Sequence, residues 1–121
     1  MTLDWTNGPL AEGLRDYNAA RYFEAHEAWE SVWLTAPQPE KLFLQALIQT
    51  TVAMHHSTRG NHLGATRLLT AALHKLAPYP PTFANIEVNL LRDDIHACLE
   101  VLAAHPQPAT LTPPRIQPLS L

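Results

Sequence analysis

The residues best suited to chemistry lie in one stretch, Tyr22-Phe23-Glu24-Ala25-His26-Glu27-Ala28-Trp29-Glu30-Ser31-Val32-Trp33. Four of its twelve residues are aromatic, three are Glu and one is His. His26 stands four residues before Glu30, so on a helix the imidazole and carboxylate can touch and form an oriented acid–base pair. Glu27 lies further round the same flank. A second polar set, Gln45, Gln49 and His56, falls within the uncharged segment 42–58. Buried amides and imidazoles must be hydrogen-bonded, because an orphan costs roughly 1–3 kcal/mol. The simplest arrangement satisfies both sets by facing them across two neighbouring helices, with carboxylates accepting from imidazole and amide donors. The structural alternative is that His26 borders a core, the glutamates are solvated and the glutamines belong to an internal network.

Imidazole and carboxylate also bind Zn, Fe or Mn. If a metal bound here, His26, Glu27, Glu30 and His56 would hold it. The run His26-Glu27-Ala28-Trp29-Glu30 opens like a zinc-protease helix but carries Glu where the second His is required. The Glu-x-x-His pairs of four-helix dimetal sites are missing from both helices. No metal or other cofactor is expected. There is no nucleophile elbow and no phosphate-binding glycine loop. His62, His74, His96 and His105 share no spacing and read as surface or helix-end residues.

The elements that must position these groups are helical. Placed about 100° apart, Tyr22, Ala25, Trp29, Val32 and Trp33 form one core-facing stripe, with Glu24 and Ser31 opposite. Phe23 lies off that stripe, which suggests a helix covered on more than one side, with His26, Glu27 and Glu30 at a packing seam. Asn7-Gly8-Pro9 starts a first helix over about 9–19 that aligns Leu10, Leu14 and Tyr17. The corner 18–21 follows, with Asn18 able to adopt the left-handed conformation. The second helix spans about 21–35 and stops before Pro37 and Pro39.

The third, about 40–58, is apolar nearly all round and should be the most buried. Gln45, Gln49 and His56 make a stripe about 40° wide along it. Gly60 supplies a left-handed cap and Asn61 caps a fourth helix over about 62–77. In that helix Gly64 and Ala65 leave room for a neighbour. Pro78-Tyr79-Pro80-Pro81 is a stiff extended turn. Asn85 caps a fifth helix over about 86–104. The segment from His105 onward, with five prolines in the last 16 residues, reads as a strap carrying Leu111, Ile116, Leu119 and Leu121, laid along the bundle or across a partner. The two helix pairs echo one another at a 40-residue offset, as Tyr22-Phe23-Glu24-Ala25 and His62-Leu63-Gly64-Ala65.

With 121 residues, 46% hydrophobic and 16% charged, the chain can fill one core. The expected organisation is a single all-α domain over 1–121, with its core in 9–104 and the strap in 105–121. A net charge of -3 with scattered Lys and Arg excludes an obvious nucleic-acid face. Segment 42–58 is too short and too polar to span a membrane. The single Cys98 cannot form an internal disulfide, and the N-terminus lacks a secretory pattern, so a cytoplasmic setting is expected. Trp5 and the apolar tail residues offer more hydrophobic surface than five short helices hide, so a homo-oligomer, most simply a dimer, is expected.

The motif YFEAHEAWESVW, followed by FLQALIQTTVAMHHSTRGNHLGATRLLTAAL, resembles the small all-helical family named domain of unknown function 309. That family pairs a YFEAHE-type helix with LIQ, a His and GN-x-x-GA. The resemblance covers about residues 10–104 and implies a compact helical bundle. By resemblance the functional candidates are His26, Glu27, Glu30, Gln49 and His56. One departure is Ala19-Ala20-Arg21, where such proteins usually carry Gly, so this turn is expected to differ. The resemblance supplies no activity, and a fold does not license one. Residues and resemblance together favour a binding or assembly module built around the His/Glu/Gln cluster. The alternative is a small metal-dependent or acid–base hydrolase using the same groups.

Overall fold

The computed structural model describes residues 1–104 and 110–119. His105 and the tail residues 106–109 and 120–121, Leu121 among them, lie outside the described residues. Five helices follow one another: α1 (Gly8–Asn18), α2 (Tyr22–Trp33), α3 (Glu40–Thr58), α4 (His62–Leu76) and α5 (Val88–Ala104). Between α4 and α5 lies a two-stranded hairpin, β1 (Thr82–Phe83) and β2 (Ile86–Glu87). The fold is thus the all-α bundle on two helical hairpins that the periodicity predicts, with one small addition.

That addition corrects the reading of Asn85 as a helix cap. Thr82 pairs with Glu87 and Phe83 with Ile86, antiparallel. Ala84 and Asn85 form the two-residue turn, with φ of 50° and 63°. A hairpin turn of the type whose two central residues both have positive φ matches the strand twist, and Asn adopts that conformation easily. Helix α5 therefore begins at Val88 rather than near residue 86.

The α1–α2 and α3–α4 corners are the same motif. Ala20 has φ 60° and Gly60 has φ 75°, at positions forty apart. In the first, Arg21 N–H donates to Asp16 O at 2.8 Å and Ala20 N–H to Tyr17 O at 3.0 Å. In the second, Asn61 N–H donates to His56 O at 2.8 Å and Gly60 N–H to Ser57 O at 3.1 Å. Both are Schellman ends, which close a helix with paired 6→1 and 5→2 bonds around a left-handed residue. The first turn, without a glycine, thus takes the same backbone as the glycine-bearing second one. Ala20, not Asn18, takes the left-handed conformation and carries the steric cost of its Cβ. Side chains seal both turns: Arg21 Nε donates to Asp16 Oδ1 at 2.9 Å, and Asn61 Nδ2 meets His56 Nδ1 at 3.2 Å. Asn61 also caps α4, accepting from Gly64 N–H at 2.9 Å. A Cβ on Gly64 would lie 2.6 Å from Asn61 Nδ2. The missing bulk at Gly64 therefore makes room for that cap.

Helix α3 packs against both α2 and α4. Phe43, Leu44, Ala46 and Leu47 on it are fully buried, as are Thr50 and Thr51. Each threonine hydroxyl donates back to the carbonyl four residues earlier, at 2.9 Å, so neither hydroxyl is left without a partner.

The C-terminal strap lies along the bundle. Leu111 and Ile116 are buried in the core. Tyr17 OH donates to Pro114 O at 2.6 Å, Cys98 Sγ to Thr112 O at 3.3 Å, and Glu87 N–H to Gln117 O at 3.0 Å. Arg115 clamps the strap on α5, with Nε 2.9 Å from Asp94 Oδ2 and a second guanidinium nitrogen 3.1 Å from Oδ1. Trp5 is buried too, its indole donating to Ala84 O at 2.8 Å. Trp5, Leu111 and Ile116 are thus covered by their own bundle, while Leu119 stays exposed.

Two outcomes follow from these turns and clamps. Ala20→Gly should stabilise the fold by about 1 kcal/mol and Gly60→Ala should destabilise it by a similar amount. A Cβ at Gly60 meets nothing within 4 Å, so the second change acts through backbone strain alone. Urea unfolding of the two variants measures both. Separately, the Arg115 hydrogen bond holds the Asp94 carboxyl below its ordinary value of 3.8. The clamp therefore contributes fully above that value and is lost as pH falls below it, through the lowered folded value. Asp94→Asn should cost about 1 kcal/mol, as partly exposed ion pairs do. It should also speed amide exchange at Glu87, whose partner is in the strap, and remove most of the acid sensitivity of that exchange.

Candidate functional site

Helix α2 turns two different faces outward and inward. Ala25 and Trp29 are fully buried and Tyr22 nearly so, which is the stripe the spacing predicts. Burial pushes the Tyr22 phenol above its ordinary value. The opposite flank is open. Phe23, Glu27, Glu30 and Leu34 recur at i, i+4, i+7 and i+11, one line along the helix. Phe23 is 55% exposed and Leu34 60%. The expectation that Phe23 marks a second covered side is therefore corrected: among the described residues its ring is left open to solvent, and Glu27 is solvent-exposed.

On this flank His26 Nε2 lies 2.8 Å from Glu30 Oε2, the pair that the four-residue spacing predicts. The Phe23 and His26 rings lie 6.0 Å apart. A shallow depression of about 250 Å³ is lined by Phe23, His26, Glu27, Glu30, Ser31 and Leu34. The Ser31 hydroxyl is committed to Ala28 O at 2.6 Å, so it is not poised as a nucleophile for His26. What this arrangement offers is an anchored imidazole beside two carboxylates, framed by two exposed apolar side chains.

The second polar set does not join it. His56 belongs to the Schellman end of α3, where Asn61 engages its ring as Arg21 engages Asp16 in the first turn. Gln45 and Gln49 are half-buried on α3. Gln49 Oε1 is buried without a hydrogen-bond partner, as is Trp33 Nε1 on α2. Among the described residues, the one side-chain hydrogen bond or ion pair of His26, Glu27 or Glu30 is the His26–Glu30 pair, and none reaches Gln45, Gln49 or His56. Nor do three or more His, Cys, Asp or Glu side chains there converge as a metal-holding group, so His26, Glu27, Glu30 and His56 do not assemble into one. The wheel of α3 placed its polar residues on one stripe correctly, but their partners are set by the turn that ends the helix.

Sequence reasoning passed over Leu34 and misread Phe23. The signal was present: both lie off the stripe through Tyr22, Ala25 and Trp29, and both continue the line of Glu27 and Glu30. Cys98, by contrast, is a core residue. It is buried and unpaired, and burial pushes its thiol up to about 11, which leaves it a poor nucleophile.

Residues 10–68 match the family model described as Domain of unknown function (DUF309). The match bears out the resemblance read from the YFEAHE and LIQ motifs. It spans α1 to α3 and the first half of α4, a shorter reach than residues 10–104. A relative from Bacillus subtilis (strain 168), the "Uncharacterized protein YpuF", is 37% identical over 65 residues, 52% of this chain and 37% of that protein. The chain thus covers little more than a third of that relative's length. Neither similarity carries an activity.

With His56 tied to Asn61 and Glu27 in solvent, His56→Ala and Glu27→Ala should be additive in unfolding free energy, within about 0.5 kcal/mol. A double-mutant cycle in urea measures this. A larger interaction energy would restore the facing-helix network.

Proposed function

We propose that this protein is a binding or assembly module that acts through the outer face of α2. The observation that carries the reading is the line Phe23, Glu27, Glu30, Leu34. It places two large exposed apolar side chains about 16 Å apart along the helix, with carboxylates between them. Apolar anchors around a charged centre suit a helix-on-helix docking mode. Helix α2 holds three Glu and no Lys or Arg. The partner it suits is therefore an amphipathic segment of another protein, with apolar residues at both ends and Lys or Arg at its centre. A second copy suits it less. Two α2 helices paired in either direction set Glu27 and Glu30 against the same carboxylates, and like charges in contact repel. The homodimer expected from sequence would need a face other than α2.

The His26–Glu30 pair serves this reading by fixing one carboxylate in place before docking. A cytoplasmic location is consistent with the unpaired Cys98. Among the described residues no helix is long and apolar enough to cross a membrane.

The reading is tested with a synthetic amphipathic helical peptide bearing Leu at both ends and Lys at its centre. Its counterpart has Glu in place of Lys. Titration followed by ¹H–¹⁵N spectra should move residues 23–34 with the Lys peptide only. Reversing the charges with Glu27→Lys and Glu30→Lys should weaken binding at least tenfold, the scale of one lost charged contact or more. Equal binding of both peptides, or shifts away from α2, would count against it.

A further inference from the structure

The two helix pairs repeat at an offset of forty residues, and the repeat extends to their outer faces. The line Phe23, Glu27, Glu30, Leu34 on α2 has its counterpart on α4 in Leu63, Arg67, Thr70 and His74. All four counterparts are solvent-exposed, Leu63 at 62%. Each line opens on a large apolar side chain left in water, at the second residue of its helix. A single exposed apolar residue is ordinary. Here two occupy the same place in a duplicated unit.

The charges that follow them differ in sign. Helix α2 carries three Glu and no Lys or Arg, whereas α4 carries Arg67 and Lys75 and no Asp or Glu. Among the described residues no ion pair engages Arg67. A basic centre beside an apolar anchor is the chemistry that suits α2, and α4 of a second copy has it. Where α2 meets α2, like charges repel; where α2 meets α4, opposite charges attract. Both lines have the spacing four, three and four residues, which reads the same in either direction. Laid antiparallel, they set Leu34 against Leu63, Glu30 against Arg67 and Phe23 against His74. The two helix dipoles then also oppose one another.

We propose that the acidic face of α2 in one copy docks on the basic face of α4 in a second copy. The inference rests on the reading of α2 as a docking face and names its partner. Within one copy, α3 packs against both helices and their outer lines stay in solvent, so the contact forms between copies. It is heterologous: every copy carries one face of each kind, and the contact repeats along a chain or closes into a ring. One helix line on each side is a small interface, so the association is weak and salt-sensitive.

The full chain is followed by sedimentation velocity and ¹H–¹⁵N spectra from about 20 µM to about 1 mM, where so small an interface assembles. The sedimentation coefficient should rise with concentration, and residues 23–34 and 63–74 should shift together. Salt at roughly 0.5 M should suppress both effects. Arg67→Glu should weaken the association roughly tenfold or more, and so should Glu27→Lys combined with Glu30→Lys. Mixing these two variants should restore it, because Glu27 and Glu30 of the first then face Arg67 of the second. Retained spectral dispersion in each variant confirms folding. A monomer throughout the range, association indifferent to Arg67→Glu, or no association in the mixture overturns the proposal. If the Lys-centred peptide still moves residues 23–34, α2 remains a docking face and only its self-partner is lost. If that peptide fails as well, the reading of α2 falls with it.

Discussion

The fold depends on one close approach, Trp29 of α2 against Gly13 of α1. A Cβ at Gly13 would lie 2.3 Å from Trp29 Nε1, so no other residue fits there without moving the helices apart. The approach lets the indole donate to Leu10 O at 3.1 Å, inside a fully buried site. From Trp29 the aromatic packing spreads. Tyr17 stacks on it at 6.0 Å and Trp5 meets it edge-on at 6.3 Å. Tyr17 then holds the strap through Pro114, and Trp5 holds the β-turn through Ala84. One side chain thus ties α1, α2, the lead-in, the hairpin and the tail into one core. Glycine inside a helix ordinarily costs about 1 kcal/mol relative to alanine. Here that cost is offset by the packing it permits.

This hub shows which parts of the fold were legible. Trp29 was legible, because its stripe has helical period. Gly13 was not singled out, although it lies three residues after Leu10 and four before Tyr17, on the face those two define. Helix periodicity reports which residues face inward, but a small residue carries no hydrophobic signal of its own. The five helices were legible for the same reason, with every end within two residues of its place. The hairpin 82–87 was not, since four residues in strands are too few to show alternation. Asn85 fits a helix cap or a hairpin turn equally well, and only the pairing of Phe83 with Ile86 decides between them.

The two corners teach a related lesson. Glycine at position 60 announces a left-handed residue; alanine at position 20 does not, yet the backbone is the same. The offset of forty residues was visible in sequence and could have been used to carry the geometry of the second turn onto the first. It would also have placed His56 opposite Asp16, as the residue that meets the side chain closing its turn. Read by wheel alone, His56 joined Gln45 and Gln49 as part of a site. Read by its place in a duplicated corner, it is a partner for Asn61.

The candidate site was therefore half legible. Local spacing on one helix predicted the His26–Glu30 pair, because i and i+4 are neighbours whatever surrounds them. It could not predict what faced them, since that depends on how α2 lies on α3 and where the strap runs. The strap's prolines and apolar residues were visible, but not its course, which is fixed by single contacts far apart in sequence such as Tyr17–Pro114 and Asp94–Arg115. That course leaves the α2 flank bare. A chain of this size has few apolar residues to spare. Laying Leu111 and Ile116 over the α1–α5 side while leaving Phe23 and Leu34 in water is a distribution that hydrophobic burial alone does not favour. That imbalance is the physical reason to look for the function on the outer face of α2.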